Sequence, residues 1–198
     1  NGEVVSAVWQ VQQWLYRPAD AEPFARALAA RPSVAVRGNI LLAENLVAQG
    51  RWTAADSALV TAGRDANGGF SRVARGLMAA RPFLAVPRAE LERVRADVQA
   101  WDPAKDSDLQ GPAGALVPQL RDYALGLLAS RLGEGEVALK QAARLESAEV
   151  DSVDRPVVRS LAATVRSDGA IMAHKPADAV KALEPVGGQV PLGLRSSP

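Results

Sequence analysis

Cysteine is absent from this chain of 198 residues, and histidine occurs once. Without cysteine there is no disulfide framework, no thiolate nucleophile and no Cys-ligated zinc or iron–sulfur centre. A lone histidine cannot supply the paired imidazoles of an H-E-x-x-H zinc site. Neither sign of charge is in surplus. The 23 Lys plus Arg stand against 22 Asp plus Glu, and a net charge of +1 exerts no bulk pull on nucleic acid or an anionic membrane. Aromatic residues make up only 5%, and there are 2 Ile and 3 Thr, so the residues that favour strands are thin. No run approaches the roughly 18 consecutive apolar residues of a membrane span. The tightest apolar cluster, Ala124 to Ala129, reads as a buried helix face and already contains Gly126. A nucleophile elbow, a phosphate-cradling loop and a dinucleotide fingerprint are all missing.

What is present favours helices. The chain has 38 Ala, 22 Leu and 22 Val, with 19 Arg to 4 Lys. Ala, Leu and Arg are strong helix formers, and so much alanine lets helix backbones approach closely. A chain of this length buries roughly 70% of its unfolded surface and needs no staple. The expectation is an all-α protein.

Apolar periodicity and breakers divide it into about ten helices. The first runs from about Glu3 to Tyr16, with Val4, Val8, Val11 and Leu15 as its stripe and Trp9 and Trp14 beside it. A second spans about Ala21 to Arg31. The third starts from Ser33 as N-cap and reaches Gln49, with Val36, Ile40, Ala43 and Val47 on one face and Gly50 as its left-handed terminator. Further helices follow at about Thr53–Ala62, Phe70–Arg81 and Pro87–Trp101, with Pro82–Val86 extended between the last two. Asp102 to Gly114 is the longest stretch without helical period. Beyond it come Leu116–Leu132, Glu136–Ser147, Pro156–Ala173 and Ala177–Val186. The division expected is residues 1–102 as N-terminal helical repeats, 103–114 as a connecting loop and 115–198 as C-terminal repeats, in one continuous solenoid.

Polar clusters have bland readings. Asp102, Asp106, Asp108 and Gly111 lack the ligand alternation and terminal Glu of a calcium loop, so they cap helices and aid solubility. Asn67-Gly68-Gly69 is a turn. Arg88, Arg93 and Arg95 alternate with Glu90, Glu92 and Asp97 at pairing distance, and Arg72 and Arg75 add to the basic side. A nucleic-acid surface would need one-sided charge and aromatic platforms, so this is a solvated face. Trp52 and Trp101 are packing wedges beside turns. His174 is a helix-end residue facing the dipole. No metal or cofactor is expected.

Three helix pairs can be laid on one another at Gly50, Gly133 and His174. Eight residues before that point Leu42 matches Leu125, and seven before it Ala43 and Gly126 are both small. Five after it stand Ala55, Ala138 and Ala179; nine after it, Leu59 and Leu183, with Ala142 as a smaller substitute. Antiparallel helices joined by a tight turn need small residues where they cross and larger ones where the gap widens. These spacings resemble those of the tetratricopeptide-repeat family, whose helix–turn–helix units are about 34 residues long. Leu125-Gly126, Gly133 and Ala138 carry the resemblance, Leu42-Ala43, Gly50 and Ala55 repeat it more loosely, and Trp52 sits where the family often has an aromatic. The family's Trp near the start of the first helix and its closing Pro are missing, the third copy keeps only its second-helix half, and the spacing between turns is not a multiple of the family's repeat.

The resemblance implies a right-handed α-solenoid of antiparallel helix pairs. It also implies a non-catalytic module that binds a protein or peptide partner, or another part of its parent chain, in a groove lined by the first helices. Carried over residue by residue, the groove positions are Arg37, Ile40 and Glu44 in one unit and Tyr123, Leu127 and Arg131 in another. An alternative is the regulatory or sensor region of a larger bacterial protein, such as a serine/threonine kinase or transcriptional regulator. The absence of an initiator Met and the loop-like end lead us to expect a processed chain or a fragment. The cytoplasm is favoured over the periplasm, with no nucleic-acid partner and no membrane insertion. Trp9 and Trp14 at one end, and Ala179, Val180, Leu183 and Val186 at the other, form apolar faces through which solenoid ends would associate.

Overall fold

A computed structural model describes residues 17–64, 69–105 and 116–186, and these are mainly helical, with no strand among them. The α-helices are α1 (Pro18–Ala29), α2 (Ala35–Ala48), α3 (Trp52–Arg64), α4 (Gly69–Ala79), α5 (Arg88–Ala100), α6 (Val117–Arg131), α7 (Gly135–Glu146), α8 (Arg155–Met172) and α9 (Pro176–Leu183). Short 3-10 turns cover Pro32–Val34, Pro103–Lys105 and Glu184–Val186. The helix expected over Glu3–Tyr16, with Trp9 and Trp14, lies outside the described residues, as do Asp106, Asp108 and Gly111. None of the described helices is long and apolar enough to cross a membrane.

Prolines open helices here. Pro18, Pro156 and Pro176 stand in the first turn of α1, α8 and α9, where the missing N–H would be an orphan anyway. Ser33 does not cap α2. Pro32 starts a 3-10 turn that takes Ser33 into it, Val34 becomes the residue before the helix, and no side chain caps its first amides. Pro82–Leu84 is a turn rather than extended chain: the Leu84 amide donates to the Arg81 carbonyl, and Leu84 and Val86 are buried.

The chain packs as two units, residues 1–87 and 88–198. In the first, α2 is the centre, packed by α1 on one side and α3 on another, with α4 lying on α3 and touching α2. Alanines let them close up: Ala21 and Ala25 of α1 and Ala43 of α2 are wholly buried. A Cβ on Gly38 would fall 2.3 Å from the backbone nitrogen of Ala29, so α1 and α2 meet at backbone distance. Leu41, Leu46 and Leu59 fill the remaining space, each contributing about 2 kcal/mol by leaving water.

In the second unit α5 packs on α6, and so falls upstream of the 103–114 connection yet with the C-terminal helices. Arg121 of α6 holds it there, donating to the carbonyls of Val98 and Gln99. Beyond it, α7 packs on α6, α8 on both α7 and α6, and α9 on α8. Ala129, Ala138, Ala142, Leu145, Val158, Ala162 and Val165 form the shared core of α6, α7 and α8.

Three hairpins close in the same way. Gly50, Gly133 and His174 all have left-handed backbones, with φ of 72°, 78° and 58°. In each case the amide of that residue donates to the carbonyl three back, and the next amide donates to the carbonyl five back. The second set comprises Arg51 to Leu46, Glu134 to Ala129 and Lys175 to Ala170, all at 2.9 Å. This is the Schellman ending that satisfies a helix's last carbonyls. Five residues on, Ala55, Ala138 and Ala179 are all buried, as the alignment at the turns requires.

Candidate functional site

The first helix of each hairpin supplies the face on which the resemblance places a groove. On α6, Gly126 brings the helix close to α8: a Cβ there would lie 2.8 Å from a methyl of Val165. Tyr123 and Leu127 are half-buried against the α6–α7–α8 core. One turn further on, Arg131 lies near Asp168 of α8, whose carboxyl is raised by burial against the opposing pull of Arg131 and a hydrogen bond with Ser130. The second unit therefore carries Tyr123, Leu127 and Arg131 along one helix and brings Asp168 of α8 near the last of them, a neighbour that the sequence reading did not name. The signal was available. Asp168 stands six residues before His174, the place that Glu44 holds before Gly50 and Leu127 before Gly133.

In the first unit Arg37 is exposed and Glu44 half-buried, but Ile40 is in the core. Ile40 is thus part of the packing of α2 and not a surface that a ligand could reach. Burial pushes the Glu44 carboxyl up to about 7, although Arg81 pulls it the other way. Glu44 and Asp168 are desolvated carboxylates at the same step of two hairpins, each with an arginine near it.

Two arginines expected from sequence on a solvated mixed-charge face are elsewhere. Arg75 of α4 is buried, and its Nε donates to Asp56 of α3 at 2.6 Å. Arg95 reaches out of its own helix to pair with Glu134. Arg88 with Glu92, and Arg93 with Glu90, do pair along the α5 surface as alternating charges should. Trp52 and Trp101 are buried wedges, while Phe70 and Phe83 are exposed.

Ionic clamps hold the first two turns. Glu22 of α1 accepts from Gln49 at 3.0 Å and from Arg51, just after Gly50, at 2.7 Å, and the bonds from Gln49 and then Arg26, with the charge of Arg51, hold its pKa below the usual carboxylate range. Arg95 of α5 pairs with Glu134, just after Gly133, and Arg88 donates to the Leu132 carbonyl. In each case the helix preceding the hairpin grips its turn, with the signs reversed. Lys175 holds the same place after His174, yet makes no ion pair among the described residues. There, between α7, α8 and α9, lies a groove of about 640 Å³ floored by Ala138, Val165, Gly169 and Ala173, with Lys175 and Lys181 on its rim. Its volume is that of a small-ligand or side-chain pocket.

No group of three or more His, Asp or Glu among the described residues is placed to hold a metal ion. Comparison with known proteins adds nothing to the geometry: no family model, curated protein or solved structure matches the chain.

Proposed function

We propose that the chain is a tetratricopeptide-like helical-repeat module that binds a segment of a partner protein along the first helices of its hairpins. One observation carries the reading: three hairpins end their first helix on a left-handed residue with the same pair of backbone bonds, and bury alanine at the same step of the second. The packing of α8 across both helices of the α6–α7 hairpin is what stacked repeats require. Arg37 and Glu44 in one unit offer guanidinium and carboxylate, and within the other unit Tyr123, Leu127, Arg131 and Asp168 set the same two groups beside apolar surface. That mixture suits an extended or helical peptide with an apolar stripe and charged flanks.

The test is panning of a displayed peptide library on the immobilised chain, followed by affinity measurement on the triple variant Arg37→Ala, Tyr123→Ala, Arg131→Ala. Selected peptides should bind this variant about tenfold or more weakly, since each truncation removes a contact of order 1 kcal/mol. Unchanged affinity, or failure to select any peptide, would remove the groove assignment.

A further inference from the structure

The third hairpin differs from the other two in what covers it. Three residues before the left-handed turn stand Val47, Ser130 and Ile171; nine after it stand Leu59, Ala142 and Leu183. The first two members of each set are buried. Ile171 is 57% exposed and Leu183 41%, and Val180 beside Leu183 is 63% exposed. The cause lies in the packing. The α2–α3 hairpin is covered by α4, which touches both its helices, and the α6–α7 hairpin by α8, which does the same. On α8–α9 the element that touches both helices is the three-residue 3-10 turn Glu184–Val186, and it leaves Ile171, Val180 and Leu183 exposed.

The two covering helices share a chemistry. Each presents a buried valine, Val73 on α4 and Val165 on α8. Each also brings an arginine to a carboxylate on the hairpin's second helix: Arg75 to Asp56, and Arg166 to Glu146 by two bonds of 2.8 Å. Directly after α9, Glu184 is exposed and makes no ion pair among the described residues.

We propose that the face of the α8–α9 hairpin around Ile171, Val180 and Leu183 seats one amphipathic helix of a partner protein, whose valine- and alanine-sized stripe is flanked by an arginine that pairs with Glu184. A second copy of the chain fits less well. Its helices of this kind, α4 and α8, are already seated on hairpins of their own chain. The proposal rests on hairpin stacking and not on the groove of the first helices, so either can fail alone.

The probe is a fluorescently labelled synthetic peptide with the sequence of α8, Arg155–Met172, titrated with the full chain. Binding should be lost in Leu183→Glu and in Ile171→Glu, each of which puts a charge against the apolar stripe and weakens binding on the order of tenfold or more. It should persist in the Tyr123→Ala, Arg131→Ala variant. A peptide carrying Arg166→Glu should bind more weakly than the parent, and Glu184→Lys in the protein should rescue it. Circular dichroism on each variant separates lost binding from lost folding. Absence of binding, or binding indifferent to Leu183→Glu and Ile171→Glu, would overturn the proposal. So would sedimentation showing that the chain self-associates and that Leu183→Glu makes it monomeric, which would assign the face to a second copy.

Discussion

Glu44 sits half-buried on α2 with its carboxyl pushed up to about 7 by desolvation. A carboxyl raised above its unfolded value favours the protonated fold. Its contribution is full below about 4.5 and is lost as the pH rises through about 7. Glu44→Gln should therefore melt higher than the parent at pH 8 and nearly level with it at pH 4.5, with a difference of up to about 3 kcal/mol, since each pKa unit is worth about 1.4 kcal/mol. Thermal melts of both proteins across that range measure it, and parallel curves would show that Glu44 ionises freely. The buried Arg75 makes a second case. Asp56→Ala removes the carboxylate to which the buried Arg75 Nε donates and should cost about 3–5 kcal/mol, while Asp56→Ala with Arg75→Met should recover most of it. Chemical denaturation of the two variants decides this. The burial of neither residue could be read from the sequence. Arg75 follows the half-buried Arg72 in an ordinary helical pattern, and only the approach of α3 to α4 determines which arginine goes fully inside.

At the scale of the element, the hairpin turns were legible and the helix starts were not. A residue that ends a helix in the left-handed region leaves a local mark, glycine, and small residues at fixed distances follow from helix crossing. That logic placed His174 with Gly50 and Gly133 although its side chain disfavours the conformation, and its φ of 58° agrees. Starts carry weaker marks: Ser33 had the chemistry of a cap, yet Pro32 turned the chain before it. His174→Gly should stabilise the second unit by about 1 kcal/mol, because glycine adopts this backbone without a Cβ penalty, and Gly133→Ala should cost about as much. Melting temperatures that moved together in either direction would contradict the shared turn geometry. The groove positions came from the resemblance alone, which could not show that α2 is enclosed by its neighbours and that Ile40 goes into the core, while Tyr123 and Leu127 stay half-buried on α6.

For the whole molecule, the division at Pro87 and Arg88 makes a direct prediction. The fragment 88–198 holds one tryptophan, Trp101, which is buried. Expressed alone it should be helical, unfold cooperatively and show blue-shifted emission that moves red on melting. A fragment with the emission of exposed indole would mean that the second unit does not fold independently. Within both units the packing partners are neighbours along the chain, at most two helices apart. Such a molecule has low contact order, so little loop-closure entropy stands before its first favourable contacts, and folding on the microsecond-to-millisecond scale of helical bundles follows. Pulled from its ends, a chain of this kind yields hairpin by hairpin, and each one released leaves the next still zipped.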